Sequence, residues 1–342
     1  VSRPLGEFEL IAAIRDRIAR AGAPASVDGL LLGSGDDAAI STREGVSVTS
    51  VDALVEGVHF RMPPFEPRSV GHKALAAALS DLAAMGAQGR EAYVQLGVRE
   101  GISDAQLLDL ADGLGGLAAA HRIAVAGGDV TRAPALLLAV TAIGHARGPE
   151  AVVRRSGARA GDLLAVTGAL GGAAAGLVLL ERPELGAGLE QPVAAALRRR
   201  QLEPEPLLAA GLALAGAGAT AMIDLSDGLG GDAGHLAAAS SVTVRIEAER
   251  IPVQPGVAAV AEAARMEAID LAAGGGEDYE LLATLPPERL AEASSAVAAC
   301  GLELTVIGSV ETGAGVELSG ASSAARPTLG FDQLRPRPPG RC

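Results

Sequence analysis

The 342-residue sequence contains no tryptophan, two tyrosines, four phenylalanines and a single lysine, Lys73. With aromatics at 2% and hydrophobic residues at 49%, its cores must be built from Ala, Leu and Val packed around small side chains. The scarcity of lysine excludes a P-loop, which needs G-x-x-x-x-G-K-[ST]; Lys73 sits in VGHKALAAALSD, without that context. The glycine stretch VTGALGGAAAG (166–176) lacks G-x-G-x-x-G spacing, and no acid ends a second strand ~20 residues later, so it reads as a helix-opening turn. Two cysteines, Cys300 and Cys342, exclude a disulfide framework and suit a reducing cytoplasm. The N-terminal VSRPLGEFELIAAIRDRIARAG carries charges through an amphipathic pattern, unlike a signal peptide or a membrane span. The longest uncharged run, LLAAGLALAGAGATAMI (207–223), is broken by glycines and reads as helix, turn and strand. A soluble cytoplasmic protein without a membrane partner is expected. The net charge of −13 argues against a nucleic-acid partner, which would require clustered Lys and Arg.

What the chain does hold is glycine, 45 residues of it, and acids bunched in short motifs. Hydrophobic periodicity predicts a helix over 7–21, a strand in GVSVTSV ending at Asp52, and a long helix in RSVGHKALAAALSDLAAMGA. A further helix follows in SDAQLLDLADGLGGLAAAHR, then strands in IAVAGGDV and ALLLAVTAIGHA. The polar segment RGPEAVVRRSGARAGD makes the best boundary, giving domains over 1–150 and 151–342. Beyond it come a strand in LLAVTG, a helix over 171–181, a polar hinge RRRQLEPEP, a helix over 286–300 and a strand-rich tail. Strands alternating with helices predict an α/β (α+β) protein of two similar halves, each a mixed sheet packed with helices.

The acids recur where elements end: Asp36 and Asp37 in GSGDDAAI, Asp52 in SVDALVEGVHF, Asp81 in LSDLAAMGA, Asp129 in GGDVTR, and Asp224, Asp227 and Asp232 in IDLSDGLGGD. Singly, each reads as a turn or cap residue. Collectively they do not: Asp81 lies in an almost wholly apolar helix, a costly place for an idle charge, and the aspartates of IDLSDGLGGD would repel one another without a cation. Oxygen ligands with few histidines suit Mg2+ over zinc, and Mg2+ bridges carboxylates to substrate phosphates. From the residues alone, His59 beside Phe60 reads equally as a packed histidine, and Glu277 as a cap of the next strand.

The ordered motifs GDDAA, D-x-L-V-x-G-x-HF, KALAAALSDLAAMGA, GGDVTR, RSGARAGD, IDLSDGL and GGGEDYEL resemble those of thiamine-monophosphate kinases. That family belongs to the ATP-binding superfamily that includes aminoimidazole ribonucleotide synthetase and selenophosphate synthetase. The resemblance runs from GEFELIAAI to GFDQL, essentially the whole chain, and implies γ-phosphate transfer from ATP to thiamine monophosphate, giving thiamine diphosphate and ADP. It implies several Mg2+ ions, with K+ as an additional candidate, held by Asp37, Ser50, the backbone of Val51, Asp52, Asp81, Asp129, Asp224 and Asp227. Gly128, Asp129, Arg155 and Ser226 match positions that contact ATP. His59, Glu277 and Phe331 match positions that hold the thiamine phosphate, while Asp278 and Glu280 read as structural. The family also implies a homodimer, with the N-terminal half binding metal and ATP and forming the dimer core, and the C-terminal half completing the active site. Two positions depart from the pattern: Val51 stands where the family often has Thr, and His121 where some members have Tyr. Another ATP-dependent synthetase of the superfamily would share the aspartates and differ in the acceptor pocket; a non-catalytic nucleotide and Mg2+ sensor is the alternative from a different class.

Overall fold

In the computed structural model, which describes residues 6–33, 39–42 and 44–320, the chain forms two compact units that divide at Pro149 and Glu150, with Ala83–Gly86 belonging to the second. The first unit runs α1 (Glu7–Arg20), β1 (Leu30–Leu32), β2 (Ile40–Ser41), β3 (Val46–Val55), α2 (Pro67–Ala84), β4 (Gln88–Val98), α3 (Asp104–His121), β5 (Ala124–Arg132) and β6 (Leu137–Ala146), the last residues of α2 passing into the second unit. Its main sheet has the order β3-β6-β4-β5, while β1 and β2 pair separately. Along β6 the side chains alternate, with Leu138, Val140 and Ala142 fully buried, as a sheet covered on one face requires. Helices α2 and α3 touch through glycine. A Cβ added at Gly113 would lie 1.8 Å from the Arg68 carbonyl oxygen, and one at Gly71 2.0 Å from that of Leu110. A chain without large aromatics thus gains packing density by bringing backbones together.

The second unit contains β7 (Leu163–Thr167), α4 (Gly172–Glu181), α5 (Gln191–Leu202), α6 (Leu208–Gly216), β8 (Ala221–Asp224), α7 (Leu229–Ser240) and β9 (Val242–Glu247). It continues with α8 (Val257–Ala264), α9 (Ala268–Gly274), β10 (Leu281–Leu285), α10 (Leu290–Ala298), β11 (Leu304–Thr312) and β12 (Gly315–Ser319). Its six-stranded sheet is ordered β12-β9-β11-β7-β10-β8, and only the β12–β9 pair is parallel. One buried cluster joins Val166, Ile223, Leu236, Val244 and Ile307 under α7. A second joins Leu179, Leu197, Val260 and Leu271 among α4, α5, α8 and α9.

The mixed α/β class and the two-part architecture match expectation. Two local readings are corrected. Strand β3 does not stop at Asp52 but continues to Val55, because β6 pairs with it that far, Val55 opposite Leu137. The hinge expected in RRRQLEPEP begins later, since Arg198–Leu202 forms the end of α5. Gln201 there is 1% exposed, its polar group satisfied by a residue 76 positions away. Among the described residues no helix is long and apolar enough to cross a membrane.

Candidate functional site

In the first unit, β3 carries Ser50, Val51 and Asp52, and its period-2 pleat sends Val51 to the face opposite Ser50 and Asp52. Val51 is 69% exposed, so only its main chain is available to a ligand on the Ser50–Asp52 side. Ser50 donates its hydroxyl to Asp81 of α2, joining two expected ligands from elements 31 residues apart. Asp52 Oδ1 accepts the N–H of Ala53 at 2.7 Å. Asp129 lies on β5, at the other edge of the sheet from β3. Three strand spacings, roughly 14 Å, separate those edges, so the fold of this unit does not bring Asp129 to Asp52. Asp129 instead accepts from Gln95 Nε2 at 2.7 Å, a partner the sequence reading missed; its only sequence signal is the cross-strand register. Gly128 has no room for a side chain, since a Cβ would lie 2.2 Å from the Val94 carbonyl oxygen. Beside it a cavity of about 520 Å³ is lined by Ile14, Ile18, Leu114, Gly127, Gly128 and Asp129 among others.

His59 sits in the turn after β3. Its Nδ1 accepts the N–H of Val55 at 3.0 Å, which leaves the proton of the neutral ring on Nε2. That nitrogen is buried with no partner among the described residues. A buried donor without an acceptor is costly, so the placement fits an N–H kept for a ligand. His121 ends α3 and is partly buried. Asp37 and Phe331 lie outside the described residues.

The second unit places Asp224 at the end of edge strand β8, 2% exposed, followed by Ser226 and Asp227 in the turn that opens α7. Asp232 in the first turn of α7 accepts the N–H groups of Asp227 and Gly228 at 3.1 and 3.0 Å. Burial, with the charges of Asp224 and Asp227 adding to it, pushes the Asp232 carboxyl up to about 8. Asp232 was legible only as part of the motif, and its role emerges from the turn it closes. The segment Gly274–Glu280 lies across this turn: Ser226 and Leu225 carbonyls accept from Glu277 and Tyr279 at 2.8 and 2.9 Å. Arg155 is exposed on a loop that Ser240 secures, accepting from Gly157 and Ala158 and donating to the Arg155 carbonyl at 2.9 Å. Asp278 and Glu280 have structural partners. Asp278 accepts the Gly171 and Ala173 N–H groups at the start of α4, at 2.6 and 3.0 Å; Glu280 pairs with Arg200 and accepts from Thr167.

Among the described residues no three His, Cys, Asp or Glu side chains converge as a protein-only metal centre would require. Mg2+ needs less, since one or two carboxylates suffice when phosphates and waters complete the shell. The Ser50–Asp81 pair and the crowding of Asp224, Asp227 and Asp232 both fit that donor chemistry.

The raised Asp232 carboxyl makes a pH prediction. In the unfolded chain it titrates near 3.8 and in the folded unit near 8. Between those values the folded state retains a proton that the unfolded state has lost, so stability falls as pH rises from about 4 to about 8. Asp232→Asn keeps an oxygen for the two N–H groups and cannot ionise. In chelator at pH 8 it should therefore be more stable than the parent by at least ~1 kcal/mol, about 2–4 °C in Tm. The advantage should shrink toward pH 5; one that grows on acidification counts against this account.

The two units and their acidic turns define a class. The AIR synthase related protein N-terminal domain matches residues 35–146, and the corresponding C-terminal domain matches residues 159–320. A thiamine-monophosphate kinase of Mycobacterium tuberculosis is 40% identical over 82% of this chain and 80% of its own. The crystal structure of thiamine-monophosphate kinase from Stenotrophomonas maltophilia superposes with a TM-score of 0.80 and 37% identity, covering 93% of this chain and 98% of that one. AaThiL complexed with AMPPCP and TMP superposes at 0.71 with 30% identity over 94% and 96%. The chain belongs to the thiamine-monophosphate kinase family.

Proposed function

We propose that the protein is an ATP-dependent phosphotransferase that moves the γ-phosphoryl group of ATP to the phosphate of thiamine monophosphate. The bond between the γ-phosphorus and the bridging oxygen breaks, an acceptor oxygen bonds to that phosphorus, and ADP leaves. The observation that carries this reading is identity of up to 40% with thiamine-monophosphate kinases over four-fifths of the chain or more. The acceptor phosphate has a second pKa of ~6 and is mostly deprotonated at neutral pH, so no general base is required. Catalysis then rests on positioning and charge neutralisation.

Residues proposed to hold Mg2+ are Asp37, Ser50, the Val51 main chain, Asp52, Asp81 and Asp129 in the first unit, and Asp224 and Asp227 in the second. When bound, Mg2+ supplies the positive charge that lets two phosphate groups approach; K+ remains a further candidate ion. Gly128, Asp129, Arg155 and Ser226 are assigned to ATP, with Arg155 offering a fixed guanidinium for phosphate oxygens. His59, through Nε2–H, is assigned to the acceptor with Glu277 and Phe331. A homodimer built on the first unit is supported by exposure on edge strand β3, where Ser47, Thr49 and Val51 face outward uncovered. The two-cysteine composition supports a cytoplasmic location.

Phosphorus NMR of the protein with ATP, Mg2+ and either thiamine or its monophosphate tests the reading. Thiamine diphosphate and ADP should accumulate with the monophosphate. Free thiamine should react poorly, because a hydroxyl acceptor needs a general base and none of the roles assigned above supplies one. Equal turnover of thiamine would overturn the proposal.

A further inference from the structure

The end of α5 carries two polar side chains that no step above uses, the partly buried Arg200 and the buried Gln201. Arg200 pairs with Glu280. Burial opposes its charge, but Glu280 and Asp278 outweigh that and hold its pKa above the ordinary value. Gln201, 1% exposed, donates from Nε2 to Glu277 Oε2 at 2.6 Å. The stretch these two residues grip is strained: Glu277 and Tyr279 have φ of 67° and 51°, the left-handed region that is costly for a non-glycine residue. Such backbone persists only where its surroundings over-determine it.

Here they do. Glu280 is held by Arg200 and by Thr167 Oγ1 at 2.6 Å, and Asp278 by two backbone N–H groups of α4. The main chain of Glu277 is tied to Ser226 at 2.8 Å. Gly276 has its Cα against the same turn, where a Cβ would lie 2.3 Å from the Ser226 carbonyl oxygen. These contacts fix the backbone of the segment. The carboxylate end of Glu277 has three side-chain torsions of its own, and the Gln201 amide is a contact from α5 that favours one setting of them.

We infer that Gln201 is a positioning residue that sets acceptor specificity by aiming the Glu277 carboxylate. This rests on the assignment of Glu277 to the acceptor. A carboxylate has no use for the acceptor's phosphate, which repels it; it suits the amino-pyrimidine and thiazolium end, which offers N–H donors and a positive charge. A Glu277 carboxylate no longer aimed by Gln201 would weaken that directional contact while the phosphate-transfer chemistry stayed in place. Gln201 therefore acts on acceptor binding and not on ATP.

Steady-state kinetics of Gln201→Leu and Gln201→Glu test this, together with Glu277→Gln and the Gln201→Leu/Glu277→Gln double variant. Leu removes the donor, and Glu keeps the shape while replacing the donor by an acceptor, so a folding defect in one does not end the test. Both should raise KM for thiamine monophosphate about tenfold, the scale of a lost hydrogen bond to a charged group, with KM for ATP within about twofold. In the Glu277→Gln background, the Gln201→Leu change should add less than about twofold, because the charged carboxylate that Gln201 aims is gone. An acceptor KM raised by Glu277→Gln but untouched by either Gln201 change overturns the inference alone. So does an equal Gln201→Leu effect in both backgrounds, or an equal rise in both KM values. If Glu277→Gln leaves the acceptor KM unchanged, the assignment of Glu277 fails, and the inference with it.

Discussion

Asp81→Asn should lower turnover by at least ~100-fold at saturating Mg2+, the scale of losing a preorganised electrostatic contact. Asp81 lies in α2 beside Leu79, Ser80 and Leu82, all fully buried, where a carboxylate without a task would be a net cost. Ser50, from the facing strand, donates its hydroxyl to it, so the side chain is aimed as well as charged. Asn keeps the size and an oxygen for Ser50 and removes only the charge. A structural role would then appear as lost stability with turnover preserved. A metal-holding role gives the reverse, a large fall in kcat with Tm unchanged or raised. Turnover like that of the parent, with Mg2+ saturating, would reduce Asp81 to a helix residue with a strand partner.

The second large effect is a stability signature at Asp224. Asp224 is 2% exposed, and its charge and that of Asp227 help raise the Asp232 carboxyl, so the metal-free turn is electrostatically frustrated. Asp224→Asn should leave the protein in chelator no less stable, because repulsion is relieved. Mg2+–ADP at ~100 times its dissociation constant adds about 2.7 kcal/mol to the parent by mass action, a Tm rise of several degrees, and the substitution should shrink that rise. An ordinary capping aspartate behaves otherwise, since its loss costs ~1 kcal/mol in either condition. Melting curves of both proteins, in chelator and in Mg2+–ADP, separate the two. Equal losses in both conditions would make Asp224 a cap.

Much of the fold was legible because it rests on local periodicity. The apolar stripe of α1, the alternation along β6 and the glycine-initiated α4 each stand out in the chain within a dozen or so residues. The candidate ligands were legible as motifs because Asp beside Gly at the ends of elements is a dense local signal. What failed was the reading of polarity. Arg198–Gln201 looks solvated in sequence, yet Arg200 is partly buried against Glu280 and Gln201 buried against Glu277, 80 and 76 residues away. Gln95 carries no signal at all until β4 and β5 pair and set it beside Asp129.

By itself the sequence determined the α/β class, the aromatic-poor cores, the absence of a P-loop and the set of acidic motifs, all consequences of composition and short-range spacing. Only the tertiary structure decided which of those motifs meet. It joined Ser50 to Asp81, set Asp129 at the sheet edge away from β3, turned Val51 outward, and closed the Asp227 turn with Asp232. The physical reason is that a carboxylate's partners, burial and neighbouring charges depend on strand order and helix packing. These bring together residues tens of positions apart, and no local pattern encodes them.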